Sequence, residues 1–562
     1  MGTAAPSPAE RQQPTRPRGG SRAAGVALAV ILLAYCAYAA VFIYRTSFLV
    51  DGKRCFCLFD DAMISMRYAR NLAHGQGLVW NPGGERVEGF TNPLWVLFMS
   101  LFHLLPIPAY FVSLPIQISG ALFVLLAAVC VGRTAYALSD GSRLAALSAT
   151  ALTAFYLPLV NWSLQGMEVS VLAALVAVST HRAVRSLARG DFSPLPYVLL
   201  GLAVLVRLDA SVVLVATMLW GMSADRRHRA RHAGWGIAAL ALAVGSQTAF
   251  RLSYYGDLLP NTYYLKLSGY PASLRVLKGL LSLADFLQRL PWWLLLAAFL
   301  PLAWRRDRGR MLLVTLWCAQ CLYSVYVGGD AWEWWGGANR YLAIVIALFF
   351  VLVSLGLADL VSWALVCLTN RPRPLAYAAR AAGAALALAF LAASNSFSPT
   401  SLRQWLLLDP PLLRADNAAN VKTAELLRAV TTDQALIAVS WAGAIPYFSD
   451  RRSHDLLGRC DRHVAHGRAH GIAEWTAADW FVPGHLKWDY DYSIQKLQPD
   501  VVLRDISAGR AQKTAFRACY QPFHLGQQEI YARLGSPHLL WAALYRLDAE
   551  ENRRLAGKHA PT

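Results

Sequence analysis

Nine apolar runs, each near the length of a bilayer crossing, alternate with short polar loops along the chain. They fall near 23–43, 111–132, 144–160, 167–181, 233–250, 288–304, 311–327, 341–366 and 376–394. Two further runs break the rule. Asn92–Leu105 is short and opens on Asn92-Pro93, and Leu195–Gly221 is interrupted by Arg207-Leu208-Asp209. One crossing takes about 20 residues, so neither stretch spans twice. Half-length helices dipping from one face fit both, provided that their non-helical backbone lines a cavity or lies against protein. The pattern predicts an α-helical polytopic membrane protein with 9 to 12 membrane helices.

Basic residues fix the path. Clusters at Arg11–Arg22, Arg182–Arg189, Arg226–Arg231, Arg305–Arg310 and Arg371–Arg380 mark the inner side. Residues 1–22 then form a disordered basic cytoplasmic tail. The first crossing is too long for a signal-peptide core and reads as a retained anchor. Loop 44–91 lies outside, and nine crossings end with residues 395–550 outside too. That region turns polar, and β-like runs (Ala435–Val439, Asp500–Leu503, Glu529–Arg533) alternate with helical ones (Ala418–Val430, Tyr492–Leu497). It predicts a small extracytoplasmic α/β domain, followed by a flexible tail at 551–562.

Composition agrees: 56% of residues are hydrophobic, more than a soluble enzyme would expose. The net charge of +19 reports topology, because it is dispersed over short loops, and it implies no nucleic-acid partner. The nine cysteines form no metal pattern. Cys318 and Cys321 have CxxC spacing inside an apolar run, where packing explains them. Cys55, Cys57, Cys460 and Cys519 face an oxidising compartment on this path, which makes Cys460 and Cys519 disulfide candidates.

The densest chemistry lies at Asp60-Asp61, directly after the first crossing. Asp60 is placed to cap a helix running to about Leu72. Asp60, Met63, Arg67 and Arg70 then share one stripe, where a carboxylate tuned as general base and phosphate-binding guanidiniums would face one way. A capped interfacial helix is the plainer reading of the pair by itself. A second loop supplies Tyr254, Tyr255, Asp257, Asn261, Tyr263 and Lys266, which suit a sugar and its phosphate. A third runs from Asp330 through a Trp-rich stretch at 331–337 to Arg340. An aromatic belt would explain the rings of both loops without a ligand. Glu168, Arg207 and Asp209 are ionisable groups in apolar context, where function or mutual pairing is the default.

The run DDAMISMRYARNLAHGQGLVWNPGGERVEGFTNPLW (60–95) resembles the first extracytoplasmic loop of bacterial GT-C-type glycosyltransferases. It is most similar to the terminal beta-arabinofuranosyltransferase family of mycobacteria and corynebacteria. The resemblance continues in GMEVS (166–170), YYGDLLPNTYYLK (254–266), GGD (328–330), 438–465 and 483–492. It departs from the pattern at Arg207-Leu208-Asp209 and in the Trp-rich stretch.

The resemblance implies a GT-C-like transmembrane domain over 23–394, with loop 44–91 catalytic and the whole in the bacterial inner membrane. It implies a polyprenyl-phosphate-linked sugar donor, in that family decaprenylphosphoryl-arabinofuranose, and a surface glycan or glycoconjugate acceptor. Paired catalytic aspartates map onto Asp60 and Asp61. Asp61 is then the general base, and Asp60 positions the acceptor or helps stabilise developing positive charge. Arg67, Arg70, Lys266 and Arg340 neutralise the donor phosphate. Glu168, Arg207, Asp209, Tyr254, Tyr255, Asp257, Asn261, Tyr263 and Asp330 contact sugar or acceptor. No cofactor is required, although two carboxylates beside a phosphate allow a divalent cation. The alternatives are a transporter or flippase of a lipid-linked sugar, and a GT-C enzyme using another sugar for lipopolysaccharide or protein glycosylation.

Overall fold

A computed structural model describes residues 19–333, 339–367, 373–396, 401–470, 481–503, 510–526 and 528–558. Among them, seven helices are long and apolar enough to cross a membrane. The number is nine if each of two bent helix pairs is one span. Leu195–Val206, Leu208–Ala224 and Pro93–His103 are shorter apolar helices. The protein is therefore a polytopic α-helical membrane protein, and its seven to nine spans among the described residues reach the expected 9 to 12 only when bent pairs or shorter helices are included.

The bends have local causes. Ala272–Arg289 and Trp292–Ala303 meet at 94° around Leu290-Pro291. A proline ring clashes with helical backbone at the preceding residue, and Leu290 is extended (ψ 131°). Arg143–Ala154 and Leu157–Leu164 meet at 50°, with a proline in the first turn of the second helix. The run at Leu195–Gly221 breaks where the charges predicted: Arg207 is extended (φ −156°, ψ 128°) between two helices.

On one side of the bundle, the loop after the first span starts with a hairpin. Strands β1 (Phe48–Val50) and β2 (Lys53–Cys55) pair antiparallel, and the buried helix Asp60–Ala73 follows. The tail domain covers that helix. Its sheet has the order β4-β3-β5-β7-β6, from β3 (Leu436–Val439), β4 (Arg452–Asp455), β5 (Val501–Val502), β6 (Tyr520–Leu525) and β7 (Gln528–Arg533). The β3 strand runs parallel to β4 and β5, with Ile437 opposite both Ser453 and Val501. Ile437, Ala438, Val439, Val501 and Val502 are fully buried, as central parallel strands covered on both faces require. β6 and β7 close the other edge as a hairpin.

In this region two strands lie outside the runs marked in the sequence, and two expectations meet a different structure. Strands β4 and β6 carry too many polar residues to read as strands (RSHD, YQPFHL). The stretch expected to be flexible from 551 is helical: Trp541–Lys558 packs Leu544 onto the domain, and Glu551 pairs with Arg554 at 2.6 Å. Cys460 and Cys519 are free thiols. Cys460 is buried just after edge strand β4, whereas Cys519 is exposed beside the opposite edge strand, β6. A five-strand sheet separates such positions by about 19 Å, far beyond disulfide reach. Of the disordered tail proposed for 1–22, residues 1–18 lie outside the described residues and 19–22 already belong to the first helix, Gly19–Thr46; residues 334–337 of the Trp-rich stretch also lie outside the described residues.

Candidate functional site

The loop helix Asp60–Ala73 is set from both ends. Phe59, extended at φ −57° and ψ 144°, is its N-cap, so Asp60 is already helical and does not cap it as predicted. Asp60 instead accepts from Ala444 N (2.8 Å) and Gly443 N (3.1 Å) of the tail domain. Gly443 has to be glycine there, because a Cβ would overlap the Asp60 backbone. Burial pushes the Asp60 carboxyl up to about 7, against those two N–H donors. Asp60 is thus a seam between membrane domain and tail domain.

Arg67 and Arg70 are turned the same way, so the structure does not support their assignment to the donor phosphate. Arg67 donates to Trp80 O (2.6 Å), Arg451 O (2.8 Å), Asn81 Oδ1 (3.0 Å) and Pro446 O. Arg70 donates to Tyr447 O (2.8 Å) and Asp450 (2.7 Å). Of the predicted stripe, Asp60, Arg67 and Arg70 meet the tail domain, whereas Met63 lies against Ser113 of a membrane helix.

One residue on, Asp61 faces a cavity of about 240 Å³ between the loop helix, the membrane helices and the tail domain. Its Oδ2 accepts from Arg340 Nη1 at 2.8 Å, and its Oδ1 accepts from Arg459. Arg340 is held from behind by Asp330, which takes Nε and Nη2 at 2.8 Å each. It also lies 5.4 Å from the centre of the Trp162 ring. Asn339 accepts from Tyr341 N and Leu342 N and so caps the turn that presents Arg340. Lys266, at the end of the short helix Asn261–Lys266, lines the same wall. Burial alone would raise the Asp61 carboxyl, but Arg459, Arg340 and Lys266 outweigh it and hold it well below the usual carboxylate range. Burial, with Arg340 and Arg459 alongside, brings Lys266 down to about 8. Glu333, which accepts from Asp330 N (3.0 Å) and Asn339 Nδ2, is pushed up to about 7 by burial.

The opposite wall carries a closed cluster. Arg207 donates to both oxygens of Asp209 (2.6 and 2.7 Å) and to Glu168 Oε1 (2.8 Å). Asn92 Nδ2 completes Glu168 at 2.8 Å, while Ser65 donates to Asn92 Oδ1 at 2.9 Å. Glu168 is brought in by the turn at Gly166, whose φ of +85° and contact with Leu58 leave no room for a side chain. Glu88 and Arg251 form a third ion pair on the cavity wall.

The cavity therefore gathers seven of the residues singled out in the sequence: Asp61, Lys266, Arg340, Glu168, Arg207, Asp209 and Tyr263. Asp330 stands behind Arg340. The others serve packing. Tyr255 donates to Leu78 O (2.9 Å), Tyr254 accepts from Leu78 N (3.0 Å), and Asp257 pairs with Arg462. Asn261 spends its amide on three tail-domain carbonyls. Sequence reading missed Arg459, Asn92 and the Glu88–Arg251 pair. All lie in or beside quoted motifs, but their partners are distant in the chain.

The carboxylates do not fit a divalent cation. Asp60 is filled by backbone N–H groups and Asp61 by guanidiniums, and among the described residues no three His, Cys, Asp or Glu side chains gather to hold a metal.

Residues 412–545 match a family model described only as a domain of unknown function (DUF8728). No curated protein sequence matches the chain. Its fold is similar to ArnT from Cupriavidus metallidurans bound to undecaprenyl phosphate, with a TM-score of 0.52 and 13% identity over 90% of this chain and 98% of that one. It is also similar to the archaeal oligosaccharyltransferase AglB from Archaeoglobus fulgidus in complex with an inhibitory peptide and a dolichol-phosphate. There the TM-score is 0.54, at 12% identity over 92% of this chain and 75% of that one. The architecture is GT-C-like, with the small sheet domain at the C-terminal end.

Proposed function

We propose that the protein is a membrane glycosyltransferase that moves a sugar from a polyprenyl-phosphate carrier to a hydroxyl of a surface glycan or glycoconjugate. The reaction takes place on the outer side of a bacterial cell membrane. The observation that carries this reading is the cavity-facing carboxylate of Asp61 among Arg340, Arg459 and the ammonium of Lys266. The Lys266 ammonium makes no direct hydrogen bond or ion pair among the described residues, and Asp61 and Asp330 act on it only from a distance, which leaves its donors open to an anion. ArnT and AglB, which share the fold, were each captured with a polyprenyl-type phosphate, and this supports a lipid phosphate as the anion.

The acceptor oxygen attacks the anomeric carbon while the bond from that carbon to the phosphate oxygen breaks. The electron pair leaves with the polyprenyl phosphate, and the acceptor proton passes to Asp61. Arg340 and Lys266 are placed to stabilise the charge on the leaving phosphate, and their fixed positions make that stabilisation effective. Asp60 acts indirectly, by fixing the loop helix against the tail domain. The resemblance of 60–95 makes arabinofuranose the proposed sugar, with the closed Glu168–Arg207–Asp209 wall and Tyr263 around sugar or acceptor.

The test supplies the full-length protein in nanodiscs with polyprenyl-phosphate-arabinose and a short arabinan, and weighs the product. A pentose added to the acceptor is the expected result. Transfer from a different polyprenyl-phosphate sugar would keep the reaction and replace arabinose. Passage of the lipid-linked sugar across a sealed membrane, with no new glycosidic bond, would overturn the reading in favour of transport.

A further inference from the structure

The two guanidiniums on Asp61 are not equivalent. Arg340 is anchored twice over, by two hydrogen bonds to Asp330 besides the one to Asp61. Arg459 makes a direct ion pair, among the described residues, with Asp61 alone, and the Asp455 carboxylate acts on it only from a greater distance. Arg459 is also the cavity cation that comes from the tail domain, within the region matched only to a domain of unknown function.

The Arg459 segment is held from both domains, by Asn261 of the membrane domain and by Asp455 of the tail domain itself. Asn261, 2% exposed, donates its amide to Gly458 O (2.9 Å), Arg459 O (2.9 Å) and Asp461 O (3.3 Å), which brackets the residue by its backbone. On the other flank, Asp455 accepts from Leu457 N (3.0 Å) and Cys460 N (2.8 Å). Lys487 joins Tyr264 O to Ala465 O at 2.8 Å each, and Tyr264 stacks on His466 at 4.0 Å. The helix that starts at Asn261 ends at Lys266. One seam therefore sets Arg459 and Lys266 together. The backbone is fixed while the guanidinium has a single exchangeable partner.

We propose that Arg459 is the tail domain's contribution to the donor-phosphate site, stored on Asp61 without donor and drawn onto the phosphate when donor binds, and that Asn261 is its positioning residue. This inference rests on the proposed transfer from a lipid phosphate. It gives the tail domain a task within the reaction centre. The exchange conserves charge pairing: the phosphate gains a guanidinium, and the carboxylate that loses it becomes the stronger proton acceptor. Asp61 is thereby activated only when a donor is present.

The test is a double-mutant cycle in full-length protein in nanodiscs, reading the affinity for decaprenyl phosphate alone. Arg459→Gln is expected to weaken binding roughly tenfold to a hundredfold, the effect of one charge-assisted hydrogen bond. Asn261→Asp, which keeps the shape and loses the donors, is expected to weaken it about threefold to tenfold, and to add nothing in the Arg459→Gln background. Wild-type affinity in Arg459→Gln overturns the proposal. So does an Asn261→Asp loss that persists in the double variant, because Asn261 would then act through something else. Should Arg459→Gln not fold, Arg459→Lys decides, since a lysine cannot reproduce the guanidinium fork. Weaker binding supports the proposal, and unchanged binding ends it. Failure of the wild type to bind any lipid phosphate removes the proposed function itself, which separates the two failures.

Discussion

The two walls of the cavity carry similar side chains and have opposite character. On one, Arg207 is held by two carboxylates: Asp209 takes it bidentately, Glu168 takes a third N–H, and Asn92 donates to the other oxygen of Glu168. On the other, one carboxylate serves two guanidiniums, and Lys266 beside them is unpaired among the described residues. A closed network resists a new ligand, since each contact formed breaks one already made. An over-subscribed carboxylate beside a spare cation invites an anion. The first wall is architecture that surrounds the substrate, and the second is where charge moves.

Breaking the second wall should be the most costly to chemistry. Asp61→Asn is expected to lower transfer by roughly 10²- to 10⁴-fold, the usual share of a general base. Lipid-phosphate affinity should hold or tighten, because the phosphate's competitor is gone; binding isotherms beside initial rates check both. Breaking the first wall should instead appear in stability. Arg207→Met leaves Glu168 and Asp209 buried without their cation, and unfolding should become easier by about 3–5 kcal/mol in chemical denaturation. Transfer per folded molecule should change much less.

Smaller effects sharpen the contrast. Lys266→Met should weaken donor binding roughly tenfold. Because Lys266 sits at about 8 in the unliganded site, wild-type donor affinity should fall as pH rises through that value and the ammonium loses its proton. The Lys266→Met variant should lack that limb, while Asp61, held well below the usual carboxylate range, adds no limb at neutral pH. The smallest effect on transfer belongs to Asp60→Asn, which disturbs the hydrogen bonds from Gly443 and Ala444. It should lower stability by about 1–3 kcal/mol, and transfer less than Asp61→Asn does.

The membrane pattern was legible because hydropathy acts locally: the long spans and the break at Arg207 lie where apolar runs and charges put them. Strand β3 was legible as an apolar run, whereas β4, written RSHD, owes its state to pairing with β3. In the site, sequence found the aspartate pair and favoured Asp61 as the base, but it gave no physical reason for the choice. A helix turns about 100° per residue, so adjacent carboxylates face different surroundings, and which one meets the cavity depends on where the tail domain docks. That same docking decided Arg67 and Arg70, whose tail-domain partners lie some 380 residues away. Arg459 was invisible for the same reason, since its meaning comes from Asp61, 398 positions earlier.

The most direct measurement is a single-turnover comparison of wild type and Asp61→Asn in nanodiscs, with both proteins saturated with polyprenyl-phosphate-arabinose before acceptor is added. Glycosidic bond formation by the wild type, with at least a hundredfold slower transfer by a variant that still binds the donor, is the predicted result. Equal rates from the two proteins would contradict the assignment of Asp61 as the proton acceptor and, with it, the account of the cavity.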